Sequence, residues 1–261
     1  MRKIIQGTIL IVAAASMAMA QAPLPQQAKK AKGITKKEAD AFNAIQRAKT
    51  PDEKIAAVES FISKFADSQF KAVALNDAAE AADQKRDYNK AIFYGEQAIA
   101  ADPTDFDPLL LVSGELAQHT REFDLDKAAK LTKANDYAQK AMAMIPNAVK
   151  PSALSSISDA QWEAYKKDSL ARVHQDLGLI AAAQKKWDVA ATEYKASLDA
   201  GSEPDSVVMV RLANAYDQLG KPEQAIPVLD QVLALPNLNP AVKNFAQNEK
   251  AQAEKSQKAK K

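Results

Sequence analysis

From Lys37 onward the chain alternates between small or apolar positions and charged ones at helical spacing. KEADAFNAIQRAK is the first such segment. A second helix opens at Thr50-Pro51-Asp52-Glu53. There the Thr50 hydroxyl is placed to accept the Glu53 amide, Pro51 loses nothing at the first helical position, and Glu53 can reach back to the cap. Two helices joined by so short a turn predict a helical hairpin. Further along, Leu125 to Ile145 reads as one long helix, and Ser158-x-x-Gln161 is a capping box for another that runs to about Lys186. A last helix is expected over residues 240–250, shielding the final hairpin, with a frayed tail after it.

The hairpins repeat. Ala57 and Ala91 stand 34 residues apart, and Ala190 and Ala225 stand 35 apart. Ala91, Tyr94, Ala98 and Pro103 are matched by Ala134, Tyr137, Ala141 and Pro146 at the same offsets of 3, 7 and 12. Small residues seven apart share one helix face and let a neighbouring helix approach, and the proline ends the helix. Across the middle the spacing widens to 43 (Ala91 to Ala134) and 56 (Ala134 to Ala190), which predicts longer helices or an inserted element there.

These positions carry a resemblance to the tetratricopeptide repeat family. It rests on Tyr88, Ala91, Ala98 and Pro103; on Leu177, Gly178 and Ala190; and on Leu212, Tyr216, Gly220 and Ala225, and it covers about residues 38–235. The resemblance implies an all-α solenoid of about four to five hairpins wound into a right-handed superhelix, with partners held in a concave groove lined by the first helix of each hairpin. Placed on that repeat, Asn76, Asp77, Glu80 and Asp83 fall on one first helix, Arg172, Gln175 and Asp176 on another, and Arg211, Asn214 and Asp217 on the last. The lysine and asparagine set with which some members grip a peptide's terminal carboxylate is absent as a set. A groove of mixed sign suits an internal or folded segment of a partner instead. FISKFADSQFKAVALNDAAEAADQKRDYNKA is also similar to repeats of bacterial envelope scaffolds.

Composition agrees with helices. Alanine dominates the 47% apolar fraction and only 7 glycines occur. With no cysteine, disulfides, thiolate metal sites, a cysteine nucleophile and a lipoprotein anchor are excluded. The N-terminus places Arg2 and Lys3 before an apolar run that ends Ala18-Met19-Ala20, the layout of a signal peptide cleaved after Ala20. The alternative is an uncleaved anchor, for which Ile4 to Ala20 is short and its alanine-rich end weakly hydrophobic. Residues 21–36, rich in Pro, Gln and Lys, read as a linker, 37–248 as the repeat domain, and 249–261 as a flexible lysine-rich tail.

Charge changes the picture of the partners. Without Arg2 and Lys3 the formal +2 becomes zero, and five lysines before residue 38 and a net +4 after residue 249 leave the body at −9. An acidic body argues against nucleic acid, and the basic ends read as solvated tails or as weak contacts to an anionic surface. Neither His119 nor His174 has an acid at triad or ligand spacing, and no phosphate loop, nucleophile elbow or zinc motif occurs, so no catalytic residue, cofactor or metal is expected. Tyr88 and Trp187, each three residues before a seam alanine, read as core wedges; the Trp162/Tyr165 pair reads as a core staple or as an exposed hot spot. The function expected is a periplasmic or secreted, non-catalytic adaptor that binds other proteins without stable membrane insertion once the signal is removed. A self-assembling homo-oligomer and a cell-wall enzyme are the alternatives.

Overall fold

The computed structural model describes residues 33–151 and 156–259. The expected signal peptide, residues 21–32 of the expected linker and the last two lysines lie outside the described residues. Among those described there are eleven α-helices: α1 Lys36–Arg47, α2 Pro51–Lys64, α3 Lys71–Gln84, α4 Tyr88–Ala101, α5 Asp107–His119, α6 Lys127–Met144, α7 Asp159–Ala183, α8 Trp187–Ala200, α9 Ser206–Gln218, α10 Pro222–Ala234 and α11 Pro240–Ala259. A short 3₁₀ turn, Ile145–Asn147, follows α6.

Successive helices pair as hairpins, α1 with α2 through α9 with α10, and α11 closes the series against α9 and α10. That is five hairpins and a capping helix, an all-α solenoid. First helices also touch across hairpins, α1 to α3, α3 to α5 and α5 to α7, whereas no second helix meets the next second helix to a comparable degree among the described residues. The first helices therefore converge on the inner side. Between α7 and α9 that row opens, because those two helices lack such a contact.

The seam is made of alanine. Ala74, Ala78, Ala79, Ala82 and Ala91 are completely or almost completely buried, and so are Ala134, Ala138, Ala141, Ala190, Ala213 and Ala225. Methyl groups let helix axes come close enough for the larger Phe61, Leu75, Leu131 and Leu229 to interdigitate between them. Gly95 and Gly178 take this further, since a Cβ at Gly95 would lie 2.4 Å from Val112 on α5 and one at Gly178 2.5 Å from the Tyr194 ring on α8. The turns repeat as well. Arg86, Lys185 and Gly220 share a left-handed backbone, φ 59°, 60° and 67°. Each stands five residues before its seam alanine (Ala91, Ala190, Ala225). In each, the next amide bonds back to a first-helix carbonyl: Asp87 to Ala82, Lys186 to Ala181, Lys221 to Tyr216, all 2.9 Å.

The core has a boundary. One cluster runs from Ile45 to Ile180, a second begins at Ala181 on the same helix and continues through α8 and α9, and a third joins α9, α10 and α11. The 25-residue α7 belongs to the first and the second.

Several expectations need correction. The tail expected to be flexible from residue 249 is helical to Ala259, because Ala246 and Ala253 keep the seven-residue small-residue spacing and are fully buried against the last hairpin. Glu53 reaches past the cap to the Lys49 amide at 2.9 Å, while Thr50 accepts from Glu53 as expected. The Ser158/Gln161 capping box forms in both directions. The helix expected from Leu125 begins at Lys127, since Leu125 lies in the preceding loop. Tyr88 and Trp187 are half-buried, each the first residue of its helix at a hairpin entrance: Trp187 packs against the second core cluster, whereas Tyr88 stacks on His119.

Candidate interaction face

Along the row of first helices one register position holds an ionisable side chain three times. Asp77, Asp176 and Arg211 each stand 14 residues before a seam alanine. A helix turns them all to the inner side, toward the preceding first helix: Asp77 to α1, Asp176 to α5 and Arg211 to Asp176 of α7.

On α3, Asp77 accepts a hydrogen bond from Gln46 Nε2 of α1 at 2.7 Å and faces Lys54 Nζ at 3.8 Å. Burial still pushes its carboxyl above the ordinary range. Asn76 donates to Glu80 Oε1 at 3.0 Å, which leaves the buried Asn76 Oδ1 without a partner. Glu80 is raised too, by burial first and then by the carboxylates of Asp77 and Asp107. Asp83, half-buried, adds negative charge to Glu115 on α5.

Asp176 on α7 is 2% exposed. It lies against the α5 backbone, where a Cβ on Gly114 would be 3.3 Å from its Oδ1. Burial lifts it to about 7 although Arg172 and Arg211 pull it down. Arg172 itself is exposed on the same face, and its charge acts on Asp107, Glu115 and Asp176 without a direct ion pair to any of them. Where the first-helix row opens, Arg172 and Gln175 line a cavity of about 260 Å³ with Asp168 and Asp205. Arg211 has its Nη1 buried with no partner. The two remaining residues of the set are covered by the capping helix: Asn214 donates to Glu249 at 2.9 Å, and Asp217 accepts from Gln252 at 3.2 Å.

The structure adds residues that the sequence reading missed, all tied to α5. Glu115 is 6% exposed, its Oε2 has no hydrogen-bond partner, and burial together with Asp83 lifts it to about 7. Asp107 accepts from the Tyr165 hydroxyl of α7, and burial drives both groups upward. Helix α5 escaped notice because DPLLLVSGELA reads as a buried apolar run. A lone glutamate inside such a run was the available signal. Trp162 and Tyr165 stack on one another at 5.5 Å and both meet Phe106, with Trp162 buried and Tyr165 39% exposed, so the pair is a core staple at one end and a surface residue at the other.

Both histidines do have carboxylate neighbours, contrary to the sequence reading. His174 Nδ1 is 2.8 Å from Glu193 of α8, a pairing between helices that no local spacing displays. His119 Nε2 is 3.6 Å from Glu115, one helical turn back. His119 also stacks on Tyr88 at 3.4 Å, and burial lowers its pKa. No hydroxyl is hydrogen-bonded to either ring among the described residues. Among the described residues no group of three His, Asp or Glu side chains could hold a metal ion, and no helix is long and apolar enough to cross a membrane.

Tetratricopeptide repeat models match residues 72–105, which span α3 and α4, and residues 208–241, which span most of α9 and all of α10. No curated protein matches the sequence. Among solved structures the chain is similar to TTC0263, a thermophilic TPR protein of Thermus thermophilus, at 16% identity and a TM-score of 0.55, covering 81% of this chain and 98% of that one. It is also similar to MamA protein, at 14% identity and a TM-score of 0.54, covering 75% and 90% of the two chains. At such identities the likeness is one of fold.

Proposed function

Since the chain is a tetratricopeptide repeat protein, whose repeats imply protein partners, we propose that it is a non-catalytic scaffold of the bacterial cell envelope that docks a partner on its row of first helices. The observation that carries the reading is Arg172. It is an exposed cation on the inner side, among the raised carboxyls of Asp107, Glu115 and Asp176, and it makes no direct ion pair with any of them. A partner's carboxylate or carbonyl would complete it, and the neighbouring acids would reject a purely anionic ligand. The preformed helical surface keeps the ordering cost of binding low.

The envelope location is supported by the Arg2-Lys3 start and the Ala18-Met19-Ala20 end of the apolar leader, together with the absence of cysteine. The tetratricopeptide repeats, which imply protein partners, favour a scaffold over a cell-wall enzyme.

The test is site-directed photo-cross-linking in the native cell, with the probe at Arg172 or Gln175 and a control probe at Lys140 on α6. Adducts to a different envelope protein from the first two positions and not from the third are expected. Equal adducts from all three, or a cytoplasmic partner, would overturn the proposal.

A further inference from the structure

Among the described residues, the only first-to-second-helix connection of a hairpin that departs from the short turn is the one between α5 and α6. The α3–α4, α7–α8 and α9–α10 connections are three residues each, whereas Thr120–Asp126 is seven. It holds the two most exposed large apolar side chains of the described body, Phe123 at 93% and Leu125 at 107%. Isolated exposed leucines are ordinary, but two large apolar side chains in one short loop form an apolar knob.

This loop is also held. Its backbone closes two turns, Asp124 amide to Arg121 carbonyl at 3.2 Å and Lys127 amide to Asp124 carbonyl at 3.1 Å. Asp124 Oδ2 accepts from the Arg121 amide at 3.1 Å and from Lys130 Nζ at 3.2 Å. Glu122 is gripped from two sides, by Lys127 at 2.5 Å and by Lys185 of the α7–α8 turn at 3.0 Å. Each exposed pair is weak alone, yet together they fix Phe123 and Leu125 outward.

Beside the knob lies a cavity that matches it. A cleft of about 350 Å³ opens between α6, α7 and α8. Its floor is the buried Leu177, Ile180 and Ala181, and Val189, 42% exposed, forms an apolar lip. Gln184 and Lys186 on the rim flank Lys185, the residue that grips the loop, so knob and cleft share one corner of the body. The knob cannot fill its own neighbouring cleft while it is pinned outward. The rim adds a charge pairing: Lys186 is exposed and forms no ion pair among the described residues, and Asp126, next to Leu125, is 60% exposed and held only by the exposed Lys130 at 3.0 Å, a weak pair that Lys186 of another copy can share.

We propose that the occupant of this cleft is the Phe123/Leu125 loop of a second copy of the chain, in a two-fold arrangement where each copy gives a knob and receives one. Such an isologous contact requires knob and cleft to be adjacent on one surface, as they are here. End-to-end stacking on the last hairpin is a poorer route to self-association, because α11 already covers α9 and α10. The proposal is independent of the first-helix docking reading, since none of Phe123, Leu125 and the lip residue Val189 lies on a first helix.

The test is sedimentation velocity of the full chain, in which any association through residues 1–34 is common to all variants. Up to about 100 µM, a concentration-dependent dimer is expected. Phe123→Asp with Leu125→Asp should weaken it at least about tenfold, and so should Val189→Lys on the lip, with unchanged helical content and melting temperature because all three side chains are exposed. An equimolar mixture of the knob variant and the lip variant should regain part of the association, since one of the two contacts is intact. A wild-type chain that stays monomeric, a dimer indifferent to both variants, or a knob that captures only a different protein overturns the proposal.

Discussion

The α3–α4 and α5–α6 hairpins are closed by the same kind of seam and opened by different turns. In the first, the fully buried Ala91 and nearly buried Ala98 meet Ala78 and Ala82 across a three-residue connection with Arg86 in the left-handed region. In the second, Ala134, Ala138 and Ala141 are equally buried, but the connection is seven residues long and no residue of it has positive φ. The 43-residue spacing from Ala91 to Ala134 exceeds the 35 from Ala190 to Ala225 by eight. Four of those lie in the loop and four in an added turn at the start of α6. The seam is therefore what the repeat preserves. Loop length varies freely because closing a longer loop adds little entropy, and a longer loop can then carry something else.

The largest expected effect tests whether the two seams are equivalent. Ala91→Leu and Ala134→Leu should each cost about 2–3 kcal/mol, read from the midpoint of urea unfolding. A cost under about 0.5 kcal/mol at residue 134 alone would mean that the expanded hairpin is loosely packed and its seam is not the shared feature.

A second prediction concerns the carboxyls that α5 and α7 bury, Glu115 and Asp176, both held at about 7 mainly by burial. Their folded values lie above their unfolded ones, so their contribution to stability is complete below the ordinary carboxylate range and is lost as the pH rises through 7. The melting temperature should accordingly fall between pH 5 and pH 8. Glu115→Gln and Asp176→Asn should flatten that fall and raise the melting temperature at pH 8; unchanged pH profiles in both variants would remove these two groups as its cause.

The turns differ by a smaller amount. Gly220→Ala should cost about 1 kcal/mol, because φ 67° strains a residue with a Cβ, and Arg86→Gly at φ 59° should recover up to about 1 kcal/mol. Thermal denaturation resolves both, and opposite signs are required. The smallest effect lies in the expanded loop. Lys185→Gln should leave the melting temperature unchanged and speed hydrogen exchange of the 121–126 amides. Glu122, held at about 2 by Lys127 and Lys185, should keep its bonds through the ordinary glutamate range and lose them only as the pH falls through that value, visible in an NMR titration of its carboxyl.

Much of this architecture was legible in the sequence because helix signals are local. The Ser158/Gln161 box, the Thr50 cap and the alanine offsets each act within a few residues, and each has its expected place in the structure. The candidate face was legible only where polar residues interrupt a helix pattern, as at Asp77 and Arg172. Glu115 was hidden by its apolar neighbours, and the pairing of His174 with Glu193 depends on how α7 meets α8, which no spacing within one helix encodes. The tail was misread because lysines suggested solvent, whereas Ala246 and Ala253, seven apart, decided its fate.

Helix α7 has a mechanical meaning. A solenoid whose units touch only their neighbours can peel apart one unit at a time. With 25 residues rooted in one core from Trp162 to Ile180 and in the next from Ala181, α7 acts as a stave nailed across two barrels. Under tension from the ends of the body, the two smaller clusters beyond Ile180 should give way before the long one in which α7 is rooted, and whatever rides on the α5–α6 corner would stay in place until that one yields.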